Sequence, residues 1–75
     1  MKKNIYIQLL NEGTEVYRPV PAIKIKNNIY KLQGFDIYNP KDEIWEFSPG
    51  TYVQVEKRNL DGENVLIAIQ KLSLE

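Results

Sequence analysis

Seventy-five residues with 10 Lys/Arg, 10 Asp/Glu, no histidine and no cysteine make one small, formally neutral domain. With no thiol or imidazole, neither a disulfide nor a zinc site of the usual kind can staple it, so strand pairing and apolar packing must hold it together. A chain this short buries only about 60% of its unfolded surface, which limits the core to a single compact cluster.

Residues 3–10 alternate, with Ile5, Ile7 and Leu9 on one face and Tyr6, Gln8 and Leu10 on the other. Period two with β-branched residues predicts a strand. The basic-then-apolar start resembles a secretory leader, but the apolar run is broken by Gln8, Asn11 and Glu12 and no small-residue cleavage site follows. No stretch approaches the ~18 apolar residues of a membrane span. The expectation is a soluble cytoplasmic protein.

Asn11-Glu12-Gly13 reads as a turn, and residues 14–26 as a long extended segment. Within it Val16 and Val20 are even-numbered, whereas Ile23 and Ile25 are odd. A uniform strand cannot bury all four on one side. A phase shift around Pro19-Val20-Pro21-Ala22 is therefore expected, and because two prolines deny the ladder two N–H donors the segment reads as a bulge, a bend or an edge.

Lys26-Asn27-Asn28-Ile29 reads as a tight hairpin returning through Ile29–Gln33 to Gly34. Residues 35–43 form an irregular loop with aromatic anchors and an Asn39-Pro40 turn. Ile44–Phe47 is a short strand with Trp45 and Phe47 directed to the core, and Ser48-Pro49-Gly50 turns the chain into the alternating strand Thr51–Lys57. Asp61-Gly62 is a hairpin signal. Val65–Leu72 is apolar on both faces, as a central strand is. Leu74-Glu75 reads as a cloning scar, leaving residues 1–73 as one domain.

No segment keeps a 3.6-residue period, and five or six strands at roughly ten-residue intervals point to an all-β barrel. At this length a five- to six-stranded SH3-like barrel leads, with an OB-like barrel as the alternative. Two stretches organise it, each with Gly-Thr-x-Val feeding a strand, Glu12–Val20 and Trp45–Val53, and the two strand entries are expected to meet across one compact sheet. Glu12-Gly13-Thr14-x-Val16-Tyr17-Arg18-Pro19-Val20, then Tyr30-x-Leu32, then Glu43-x-Trp45-Glu46-Phe47-x-Pro49-Gly50 resembles a family of short uncharacterised bacterial proteins. That family shares an EGT-x-V-W-R-P-V … WEF-x-PG pattern, and Tyr17 stands where it usually has tryptophan. The resemblance covers most of residues 7–56. It implies an SH3-like barrel and no function.

Candidate chemistry is sparse, and the expectation is that the chain is not an enzyme, with no catalytic residue, metal or cofactor. Asp42, Glu43 and Glu46 are the one close acidic group, offering at most a weak cation-dependent activity; solvated loop charge is the plainer reading. Arg18 shares the phase of Val16 and Val20, and a guanidinium there calls for a carboxylate partner, with Glu43 or Glu46 in reach. An extended peptide docking on exposed aromatics suits small barrels of this class, with Tyr17, Tyr38 and Tyr52 as candidates. Lys24, Lys26 and Lys31 flank one hairpin and offer single-stranded nucleic acid an alternative site. A protein partner leads, nucleic acid follows, no membrane is involved, and the chain is a monomer or a weak homo-oligomer.

Charge is uneven along the chain: six Lys/Arg against two Glu in residues 1–31, and four against eight acids in residues 32–75. Interleaved strands are expected to neutralise the two halves; a basic face opposite an acidic one is the alternative.

Overall fold

The computed structural model describes residues 2–73; Leu74 and Glu75, the suggested cloning scar, lie outside the described residues. It contains six strands: β1 (Lys2–Leu10), β2 (Val16–Lys26), β3 (Ile29–Leu32), β4 (Ile44–Trp45), β5 (Tyr52–Leu60) and β6 (Glu63–Leu72). β1, β2, β3, β5 and β6 pair consecutively and antiparallel, and β6 returns to β1. Five strands in a meander leave the first and last running the same way, so the closing pair has to be parallel. It is, through Tyr6 and Ile67. The molecule is a small all-β barrel, and its meander order separates it from the Greek-key OB-like alternative.

β1 meets β6 only near Tyr6, which would leave the far end of β1 unpaired on that side. β4 fills the gap: Trp45 pairs with Leu9, Ile44 with Leu10, and the Glu46 N–H donates to the Gln8 carbonyl at 2.9 Å. A two-residue strand suffices because its tryptophan enters the core.

The core is one cluster, with Ile5, Ile7, Val20, Leu32 and Val53 fully buried and Tyr30, Trp45, Val55 and Ala68 around them. Turn chemistry sets the hairpins. Asp61 and Gly62 both have positive φ (50° and 88°), as a type I′ turn requires, and Asn59 Oδ1 accepts the Gly62 N–H at 3.1 Å. Asn28 turns the β2–β3 hairpin at φ 63°. In the 33–43 loop the Gly34 carbonyl accepts the N–H groups of Ile37 and Tyr38, and the Asn39 carbonyl those of Asp42 and Glu43.

Three expectations are corrected. First, β2 keeps a single phase through both prolines: Val20 and Ala22 are buried, and Pro19 and Pro21 pair in register with Tyr6 and Asn4. The Gln33 N–H donates to the Pro21 carbonyl, so the prolines' missing donors face the β3 side. Pro21 has β3's end there, and Pro19 lies beyond it, where no ladder bond is lost. The irregularity falls at Ile25 instead, where pairing steps from Lys24↔Tyr30 to Lys26↔Ile29. Ile23 and Ile25 consequently point out of the barrel.

Second, the two Gly-Thr stretches do not meet as paired strands, because β3 separates β2 from β5. Third, the halves of opposite charge do not interleave. Consecutive pairing makes β1, β2 and β3 one continuous wall that carries Lys2, Lys3, Arg18, Lys24, Lys26 and Lys31 and no acid. Among the described residues, Arg18 alone of these six has a carboxylate within ion-pair distance.

Candidate interaction surface

Arg18 faces inward in phase but sits at the open end of the barrel, where its side chain is 40% exposed. Its Nε lies 3.2 Å from Glu43 Oε1, with the N–H not aimed at that oxygen, so the contact is an ion pair by proximity. The same oxygen accepts the Trp45 indole N–H at 2.9 Å, and the Tyr38 ring packs on Trp45 at 4.5 Å between centroids. Arg18, Glu43, Trp45 and Tyr38 thus form a stopper joining the two signature stretches, and Glu46 is not part of it. With Glu43 engaged twice, the acidic group of Asp42, Glu43 and Glu46 has no free convergent carboxylates. Among the described residues no three metal-ligating side chains gather.

The three candidate tyrosines lie in three different places. Tyr38 belongs to the stopper. Tyr17 faces outward opposite Gln8 and borders a depression of about 460 Å³ with Tyr6, Leu60, Val65, Glu15 and Glu63. Burial, then the Glu15 carboxylate beside it, pushes its phenol above the ordinary tyrosine value, against the pull of Arg58. Tyr52 opens β5 and pairs with Lys31, whose Nζ stands 5.5 Å from the ring centroid.

The lysines divide as well. Lys24 pairs with buried Tyr30 and so shares the inward phase, while the bulge at Ile25 returns Lys26 to the outward side opposite Ile29. Lys31 is outward too, between Ile23 and Tyr52. Register then assembles a surface that no single motif announces. One rung reads Lys2–Ile23–Lys31–Tyr52 across β1, β2, β3 and β5, and the next reads Lys26–Ile29–Gln54. Ile25, 45% exposed, lies at the bulge between them. Neighbours across strands are about 5 Å apart and successive outward residues about 7 Å. Isoleucine and lysine therefore alternate over a sheet face that no other strand covers among the described residues, with Ile23 and Ile29 half-buried beside their neighbours. The signal was present in the sequence as the odd phase of Ile23 and Ile25, conflicting with Val16 and Val20.

Comparison with protein-family models, curated proteins and solved structures finds no match. The surface has to speak from its own chemistry. Past Tyr52 it runs into a depression of about 430 Å³ bounded by Pro49, Gly50, Lys71 and Leu72. Phe35, with its ring over Gly50, is the most exposed large apolar side chain among the described residues. No helix among the described residues is long and apolar enough to cross a membrane.

Proposed function

We propose that the chain is a non-enzymatic interaction module that binds a protein partner through the outward face of β2 and β3. The observation carrying this reading is the set Ile23, Ile25 and Ile29 with Tyr52, directed away from a core that is already complete. Scattered exposed apolar residues are ordinary, whereas apolar residues gathered on adjacent rungs of one uncovered face mark a contact surface.

A photo-crosslinking amino acid placed at position 25, with a control at Asn59, tests this in cells that make the chain. A protein adduct specific to position 25 is the expected outcome. Equal labelling from both positions, or none from position 25, would refute the module reading. Single-stranded nucleic acid at Lys24, Lys26 and Lys31 is supported less well, because the register puts Lys24 on the opposite phase from the other two.

A further inference from the structure

Resting on that reading, we infer that the partner presents an acidic segment with interspersed apolar side chains, recognised by the checkerboard of Lys2, Lys26 and Lys31 among Ile23, Ile25 and Ile29. Two observations define this chemistry. The wall of β1, β2 and β3 contains no acidic residue, and none of its lysines has a carboxylate within reach among the described residues. A ligand bringing carboxylates meets uncompensated ammonium groups on this side. The lysines are also separated by branched aliphatic side chains, and these take up Leu, Val or Phe from a partner by simple apolar burial.

The same details weigh against a nucleic acid. Base recognition on a single strand needs planar rings to stack on. Tyr52 is the one aromatic residue on these rungs, and the Lys31 ammonium already stands near its ring. Isoleucines offer bases no such platform. Backbone addition has little room on this face: β3 is paired on one edge with β2 and on the other with β5, and β2 is paired with β3 from Ala22 to Lys26 and with β1 as far as Ile23. Among the described residues only Lys24–Lys26 keep an unpaired side there, a stretch well short of the usual strand of about five or six residues. The partner therefore lies across side chains, as an amphipathic helix lies on a groove, rather than extending the sheet. Charge complementarity steers the encounter, and the isoleucines supply the affinity that survives in salt.

The test is an NMR titration of the whole chain, following the methyl groups of Ile23, Ile25 and Ile29 and the amide of Tyr52. Four probes are used: an amphipathic Glu/Leu peptide, its Lys/Leu counterpart, a polyglutamate peptide and a single-stranded oligothymidylate. The Glu/Leu peptide is expected to shift all four signals. Its affinity should fall about tenfold with Ile25→Ser and about tenfold with Lys31→Glu, each a loss that only a minority of interface residues produce. Polyglutamate should bind weakly and lose that binding in salt, and the Lys/Leu peptide should leave the face unchanged. Equal binding of the Lys/Leu peptide would overturn the charge argument. Stronger shifts with oligothymidylate than with the Glu/Leu peptide would overturn the partner class in favour of nucleic acid. Shifts confined to Tyr6 and Tyr17 would overturn the location. Sedimentation showing that the chain associates with itself through these residues would make a second copy the occupant, and so refute an acidic partner. If the crosslink at position 25 forms while the Glu/Leu peptide leaves the face unchanged, the acidic class fails and the module reading survives.

Discussion

The two ends of β2 lie in one continuous strand and have opposite fates. From Val16 to Ala22 its even side chains meet the core, with Arg18 in the stopper and Val20 fully buried. From Ile23 to Lys26 its apolar residues face outward, and its lysines have no carboxylate within ion-pair distance among the described residues. Hydrophobicity alone does not distinguish valine from isoleucine here. Parity does, and parity is inherited from the neighbouring strands: β1 fixes the inward set by pairing Ile5 with Val20 and Ile7 with Arg18. An apolar residue on the wrong parity is left on the surface, where it is available for contact.

Substitutions at the two ends should separate accordingly. The largest effect belongs to the stopper end: Trp45→Ala removes a buried ring packed on Tyr38 and should cost about 3–5 kcal/mol, which for a domain of this size unfolds much of the population in urea titrations. Gly34→Ala comes next. At φ +89° its new Cβ would approach Trp45, Ile37 and Val20 at 3.2, 3.3 and 3.4 Å, so backbone strain and crowding add to about 2–4 kcal/mol. Gly13→Ala, also at positive φ but with open space around it, should cost only about 1 kcal/mol and so isolates the backbone part.

Glu43→Ala should cost about 1–2 kcal/mol, since it orphans the Trp45 indole N–H. Glu43→Gln keeps an acceptor, and Arg18→Met removes only a half-exposed ion pair; both should stay within about 1 kcal/mol. If Arg18→Met proves as costly as Glu43→Ala, the ion pair and not the indole bond ties the stopper together. At the opposite end Ile25→Ser should change stability by no more than about 0.5 kcal/mol.

The smallest effect is one of pH. Tyr17 has its pKa raised in the folded state, which favours the neutral phenol. Its contribution is complete below the ordinary tyrosine value and disappears as pH rises through the folded one. Tyr17→Phe should flatten stability over that alkaline range, and an unchanged profile would show that the shift is not expressed.

What the sequence disclosed follows from how local each feature is. Asp61-Gly62 and Asn28 were legible because positive φ is a property of the residue itself. The alternation of Ile5, Ile7 and Leu9 named the core face of β1 without any neighbour. The outward isoleucines were not legible as a surface, because two prolines offered an equally physical reason for a phase shift. Deciding between the two needed the register to β1. The basic wall was hidden for a similar reason: whether charges interleave depends on strand order, which no local pattern encodes. By residue type Tyr52 suits a peptide and Lys26 and Lys31 suit a nucleic acid, and only the ladder shows that the three share a face while Tyr17, Tyr38 and Lys24 lie elsewhere.

Everything functional rests on the direction of Ile23 and Ile25, and a soluble paramagnetic agent reads it directly from the isoleucine methyl spectrum. Strong broadening at Ile25, weaker broadening at Ile23 and Ile29, and sharp lines at Ile5 and Ile7 is the predicted pattern. Ile23 and Ile25 methyls as well protected as those of Ile5 and Ile7 would contradict it, since β2 would then change phase at its prolines and the outward face would not exist.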